Sequence, residues 1–188
     1  MASLLSINSI LKSLDFVLQH AAPQKSSGKS TLAKALGEIY HIPVLYLDKE
    51  TFSGDWVLRS DEEINKRVQK FMNTNESWII DGNYTRICPE RFINSDMTLF
   101  LNLNRFICLF SAVCRYFKHR FIPRESSNCP DKLSGEFLWW LVYKGRTSTR
   151  KRAHLTNLNK TQGQKIILNS RSEVNNFLNN IKIQQKNS

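Results

Sequence analysis

The chain has 188 residues, of which 41% are hydrophobic and 11% aromatic, enough for a buried core and enough to exclude wholesale disorder. Its 27 Lys and Arg outweigh 16 Asp and Glu, and the net charge of +11 favours an anionic partner, either phosphorylated small molecules or nucleic acid, without choosing between them. Four cysteines (Cys88, Cys108, Cys114 and Cys129) form no C-x-x-C pair, which fits reduced thiols in a cytoplasmic protein and neither a zinc site nor a disulfide framework.

In chain order, residues 1–26 form an atypical N-terminal segment. It is short of acids, and it shows no hydrophobic stretch leading to a small-residue cleavage site. A first strand there is weak, because Leu18-Gln19-His20-Ala21-Ala22 is not apolar. Ser30 to Tyr40 places Leu32, Leu36 and Ile39 at helical spacing. Pro43 to Leu47 is a short apolar run ending at Asp48, the pattern of a buried strand. Ser60 followed by Glu63 opens a helix with Ile64, Val68 and Phe71 on one face. Trp78 to Ile80 is the next strand, closed by Asp81-Gly82-Asn83, and Met97 to Leu103 another, continuing into a helix from Phe106 to Arg120. That window carries Arg105, Asn102 and Asn104, which excludes a membrane span. Lys165 to Leu168 is the last strand, Ser172 to Ile181 a closing helix capped by Ser172, and 182–188 a polar tail.

Strands separated by helices indicate an α/β fold: a parallel sheet of about five strands flanked by helices, within one domain over residues 27–181. Phe121 to Asn159 breaks this rhythm. With Pro123, Pro130, an aromatic FLWWLVY run that includes Trp139 and Trp140, and the cations Lys144, Arg146, Arg150, Lys151 and Arg152, it reads as a lid inserted between two strands (about 121–159).

The strongest local signal is Ser26-Ser27-Gly28-Lys29-Ser30-Thr31 at the start of a helix. A phosphate-binding loop needs a glycine that lets backbone N–H groups close on the phosphates. It also needs a lysine for the outer oxygens and a hydroxyl for Mg²⁺. Gly28, Lys29 and Ser30 supply these types, and the helix amino end adds its partial positive charge. The upstream half departs from the full G-x-x-x-x-G-K-[ST] pattern, with Pro23 in place of the first glycine and Ser26 where small kinases often have another. The histidines His20, His41, His119 and His154 show no metal spacing, and Asp96 lies at the amino end of its strand, a structural position.

The segments GKSTLAKALGEIYHIPVLYLDKETFSGDW, SWIIDGNYTR, RFINSDMTLFLNLNRFICLFSAVCRYFKHR and KIILNSRSEVNNFL, in this order, resemble the adenylate kinase-like family of DNA topology modulation proteins. The resemblance covers about Ser27 to Leu178. It implies a P-loop kinase fold in which Ser27, Gly28, Lys29, Ser30 and Thr31 hold the phosphates of ATP, and Ser30 the Mg²⁺. Asp48 would orient an acceptor hydroxyl or hold a metal-bound water. Asp81-Gly82 resembles the Asp-Gly pair of adenylate kinases beside the transfer site. Arg86 and Arg91 would bind the acceptor's anionic oxygens, and Arg146 and Arg150 would close over the transferring phosphate. Relatives tend to have proline where this chain has Asn104. As plainer readings, Asp48 caps a turn and Asp81-Gly82 is turn chemistry.

Three functions compete on this reading. The first is an ATP- and Mg²⁺-dependent kinase acting on a nucleotide or a hydroxylated small molecule. The second is a DNA-associated protein binding non-specifically through its basic charge, although no helix-turn-helix or zinc finger is present. The third is a paralogue whose loop, altered at Pro23 and Ser26, holds nucleotide weakly.

Overall fold

The computed structural model describes residues 15–20, 28–53, 57–84, 86–119, 135, 139 and 147–187. The apolar runs become strands buried on both faces. β3 (Trp78–Asp81) and β4 (Met97–Leu101) are buried at every position. Side chains along them alternate between two cores, as a pleated strand requires. Ile79, Met97, Leu99 and Leu101 enter one core, while Trp78 and Ile80 enter the other. The remaining strands are β1 (Asp15–His20), β2 (Val44–Tyr46) and β5 (Gln164–Leu168).

All five strands pair in parallel in the order β2-β3-β1-β4-β5. β1 is therefore central, hydrogen-bonded to β3 on one side and β4 on the other. The weak reading rests on Leu18 to Ala22, whereas the strand runs from Asp15 to His20, includes the apolar Phe16-Val17-Leu18, and pairs along both edges.

Helix α1 (Lys29–Tyr40) buries Leu32, Ala33 and Leu36 on one face of the sheet, beside Phe177 and Ile181 of the last helix, α7 (Arg171–Lys186). The opposite face is covered by α3 (Asp61–Thr74) through Ile64 and Val68, and by the short α4 (Glu90–Ile93) through Phe92. α5 (Arg105–His119) follows β4, and α6 (Ser148–Lys160) precedes β5, packing Leu158 and Leu155 on Phe100. Among the described residues, no helix is long and apolar enough to cross a membrane.

Several boundaries move from their expected places. The run Pro43 to Leu47 does not stay extended: β2 stops at Tyr46, and Leu47 begins a five-residue helix, α2 (Leu47–Thr51), that carries Asp48. Leu47 is fully buried and turns into the second core, which bends the chain at that point. Ser60 caps α3 as its spacing to Glu63 indicates, its hydroxyl accepting the Glu63 N–H at 3.2 Å.

The final helix is capped by Ser170, not Ser172. The Ser170 hydroxyl accepts the Glu173 N–H at 3.1 Å, and the Glu173 carboxylate accepts the Asn169 N–H at 2.8 Å. Ser172 has Asn175 three residues on, which cannot complete such a box as a carboxylate does. That helix then continues to Lys186, through most of the expected polar tail.

Asn104, where proline was the expected type, accepts the Phe106 N–H at 2.9 Å and so caps α5. Of the expected lid, 148–159 belongs to α6, packed on the sheet. Trp140 and most of the rest lie outside the described residues, and Trp139 is exposed.

Candidate functional site

The carboxyl ends of β1, β3 and β4 lie side by side, and β1's connection runs toward one edge of the sheet while β4's runs toward the other. In open parallel sheets ligands gather at such a divergence. The residues with chemistry collect there.

Gly28 sits at the amino end of α1 with φ +81° and ψ 7°, the left-handed conformation that L side chains resist. A Cβ at Gly28 would meet nothing within 4 Å, so the backbone, not space, demands glycine. It provides no side-chain cap, and the first turn of α1 holds no acid of its own. Lys29 is buried to 3% exposure, Ser30 is half-buried and Thr31 exposed.

Asp81 is not in a turn. It is the last residue of β3 and 5% exposed, and its Oδ2 accepts a hydrogen bond from the Ser30 hydroxyl at 2.6 Å. Burial pushes its pKa up from the ordinary 3.8. The nearby Lys29 charge and the Ser30 bond oppose that rise, Asp48 adds to it, and Arg91 opposes it. The other oxygen, Oδ1, is buried without a hydrogen-bond partner. A buried carboxylate with one orphaned oxygen, beside a hydroxyl and next to a lysine, fits a hard cation that shares its shell with phosphate oxygens and water. Ser30 and Asp81 are the residues that would hold Mg²⁺.

Asp48 is half-buried in the first turn of α2, and its Oδ1 accepts a hydrogen bond from the Tyr84 hydroxyl at 3.1 Å. Gly82 lets α2 come this near: a Cβ there would stand 2.5 Å from the Leu47 Cβ and 2.8 Å from its Cγ. Leu47 can then pack on the end of β3, which sets Asp48 within electrostatic reach of Asp81.

Arg91 is fully buried on α4. Its Nη2 donates to the Tyr84 carbonyl at 2.6 Å, and its guanidinium lies 4.7 Å from the centre of the Phe92 ring. Its Nε and Nη1 lack hydrogen-bond partners. Burial pushes its pKa down to about 10, with Cys88 and Asp81 opposing, so it stays charged at neutral pH. Arg86 is exposed on the loop after β3. Ser27 and Arg146 lie outside the described residues, as do Pro23 and Ser26. Arg150 falls in the first turn of α6.

Two residues of this arrangement carry no motif. Tyr84 is signalled only by its nearness to Asp81-Gly82. Arg59 is not signalled at all, yet its Nη1 donates to the carbonyls of Lys49, Glu50 and Phe52 at 3.0, 2.8 and 3.0 Å, closing the carboxyl end of α2. A cleft of about 390 Å³ opens at the carboxyl ends of β4 and β5, lined by Asn102, Leu103, Asn104, Arg105, Phe106 and Asn169. A larger depression of about 600 Å³ lies against α3 between Leu45 and Phe71 and includes none of the loop residues.

No family model matches the chain, and no curated protein does. Solved structures do. An uncharacterized protein from Eubacterium ventriosum ATCC 27560 aligns with TM-score 0.52 and 14% identity over 94% of this chain and 100% of that one. A "putative kinase" from Chloroflexus aurantiacus J-10-fl aligns with TM-score 0.50 and 16% identity over 92% and 98%. A gluconokinase from Sinorhizobium meliloti 1021 aligns at TM-score 0.39 and 10% identity over 91% and 97%, too loosely to support an argument. At these identities the likeness is one of fold: this chain has a mixed α/β, parallel-stranded fold of the kind that kinase-like structure has.

Proposed function

We propose that the protein binds ATP with Mg²⁺ and transfers the γ-phosphoryl group to a hydroxylated small molecule or nucleotide. The observation that carries this reading is the 2.6 Å bond from the Ser30 hydroxyl to the buried Asp81 carboxylate, at the amino end of the helix begun by Gly28 and Lys29. It joins the half-motif on α1 to an acid on a neighbouring strand, which a chance G-K-S would not do.

The triphosphate lies across the amino end of α1, with Lys29 on its outer oxygens. Ser30 and Asp81 would hold Mg²⁺, which would supply positive charge to the phosphates. The base occupies the cleft by Asn102 and Asn169, where the exposed Phe106 ring and Arg105 offer flat surfaces for stacking. Asp48 faces the acceptor and orients its hydroxyl. The resemblance to adenylate kinase-like topology modulation proteins agrees with this assignment.

Transfer of labelled γ-phosphate from ATP to a panel of nucleosides, nucleotides and polyhydroxylated metabolites tests it. At least one acceptor should be labelled by the wild-type chain and not by Lys29→Ala. Labelling no greater than in the Lys29→Ala protein, for every acceptor, counts against the kinase reading.

A further inference from the structure

The two carboxylates of the site are near enough for Asp48 to raise the proton affinity of Asp81, yet each has its own hydroxyl donor. Ser30 serves Asp81 and Tyr84 serves Asp48. The geometry points to Tyr84 as the positioning residue that holds Asp48 in its acceptor-facing role, an inference that rests on the kinase reading above.

A carboxylate on a five-residue helix has free side-chain torsions unless something restrains it. The Tyr84 hydroxyl engages Oδ1 at 3.1 Å and so restrains the carboxylate's orientation. Tyr84 is anchored in turn. Its carbonyl accepts from Arg91 Nη2 at 2.6 Å, its ring packs against the core of Ile80 and Phe92, and Arg91 is itself fully buried on Phe92. The order of support runs from α4 through Arg91 to the Tyr84 backbone, and from the Tyr84 hydroxyl to Asp48. A structural tyrosine would need only its ring in the core. The hydroxyl, aimed at a half-buried acid beside the phosphate site, does something packing does not require.

Water serves as the probe acceptor. Its oxygen forms the new bond to the γ-phosphorus as the bond to the β,γ-bridging oxygen breaks. ADP leaves with that electron pair, and the water's proton passes by way of Asp48 to solvent. ADP formation is measured for the full chain at saturating Mg²⁺, in wild type, Tyr84→Phe, Asp48→Asn and the double variant, with ATP binding and thermal unfolding followed in parallel.

Tyr84→Phe, which keeps the ring and the carbonyl, is expected to lower kcat about tenfold, the size of a lost hydrogen bond to a charged group, with KM for ATP and the thermal midpoint little changed. In the Asp48→Asn background the same change should do nothing further, since its effect passes through Asp48. An unchanged kcat, an equal loss with or without Asp48, or an effect confined to KM would each overturn the assignment. So would a wild-type chain that binds ATP and forms no ADP. A wild-type chain that fails to bind ATP would instead overturn the nucleotide reading itself, and the two failures are thus told apart.

Discussion

Asp81 shows how a buried acid works against its own fold. Its folded-state pKa lies above the unfolded value, chiefly through burial, so the folded state holds the proton more tightly. Its contribution to stability therefore falls as pH rises from about 3.8 through the raised value, and above that the ionised group opposes folding in full. Asp81→Asn removes the charge and keeps the shape. Thermal unfolding at pH 7 should show the midpoint raised by about 2–4 °C, which roughly 1 kcal/mol produces in a domain of this size. The same substitution should abolish the Mg²⁺-dependence of ATP binding. A variant that unfolds earlier and binds metal-nucleotide normally would show Asp81 to be a structural acid. In the wild type, Mg²⁺-assisted binding should fade on acidification as Asp81, whose proton affinity burial raises, takes up its proton. Asp81 was half legible in the sequence: Asp-Gly marks both turns and sites, and only its register on β3 and the Ser30 bond separate the two.

At the scale of elements, the proposed acceptor side depends on α2, a single turn and a half that could not persist alone. Gly82 admits it to the end of β3, and Arg59 holds its carboxyl end by three carbonyls while pairing with Glu63 at 3.3 Å. Arg59→Ala is expected to cost about 1–2 kcal/mol in denaturant unfolding. It should also slow ATP cleavage with ATP affinity unchanged, because it loosens the element bearing Asp48 and leaves α1 alone. Equal losses in affinity and turnover would place Arg59 in the general scaffold instead. Helix starts were legible where a side chain closes its own box, as Ser60 does with Glu63. They were misread at the last helix, where the cap is Ser170, three residues before Glu173, and not Ser172. α2 was not legible at all: only its first residue, Leu47, belongs to the apolar run before it, and an arginine eight residues beyond its end supplies the closure.

For the whole molecule, the alternation of strand and helix was readable because β3 and β4 are apolar at nearly every position, the mark of strands covered on both faces. β1 escaped that logic. Its apolar run is only Phe16-Val17-Leu18, between Asp15 and the polar Gln19 and His20, and its central place comes from pairing with β3 and β4. The site inherits this non-locality. Lys29 and Ser30 announce themselves, but Asp81, Asp48 and Tyr84 join them only because the order β2-β3-β1-β4-β5 brings the ends of β1 and β3 together and packs α2 on Gly82. The proposed function requires one claim to hold: the half-motif at Gly28, completed by Asp81 from the neighbouring strand, is a working site for metal-bound nucleotide. Calorimetric titration of ATP into the purified chain, with and without Mg²⁺ and in parallel on Lys29→Ala, tests that claim directly. Saturable binding that tightens with Mg²⁺ and is lost in the variant is the predicted result; the same heats from both proteins, or none from either, would contradict it.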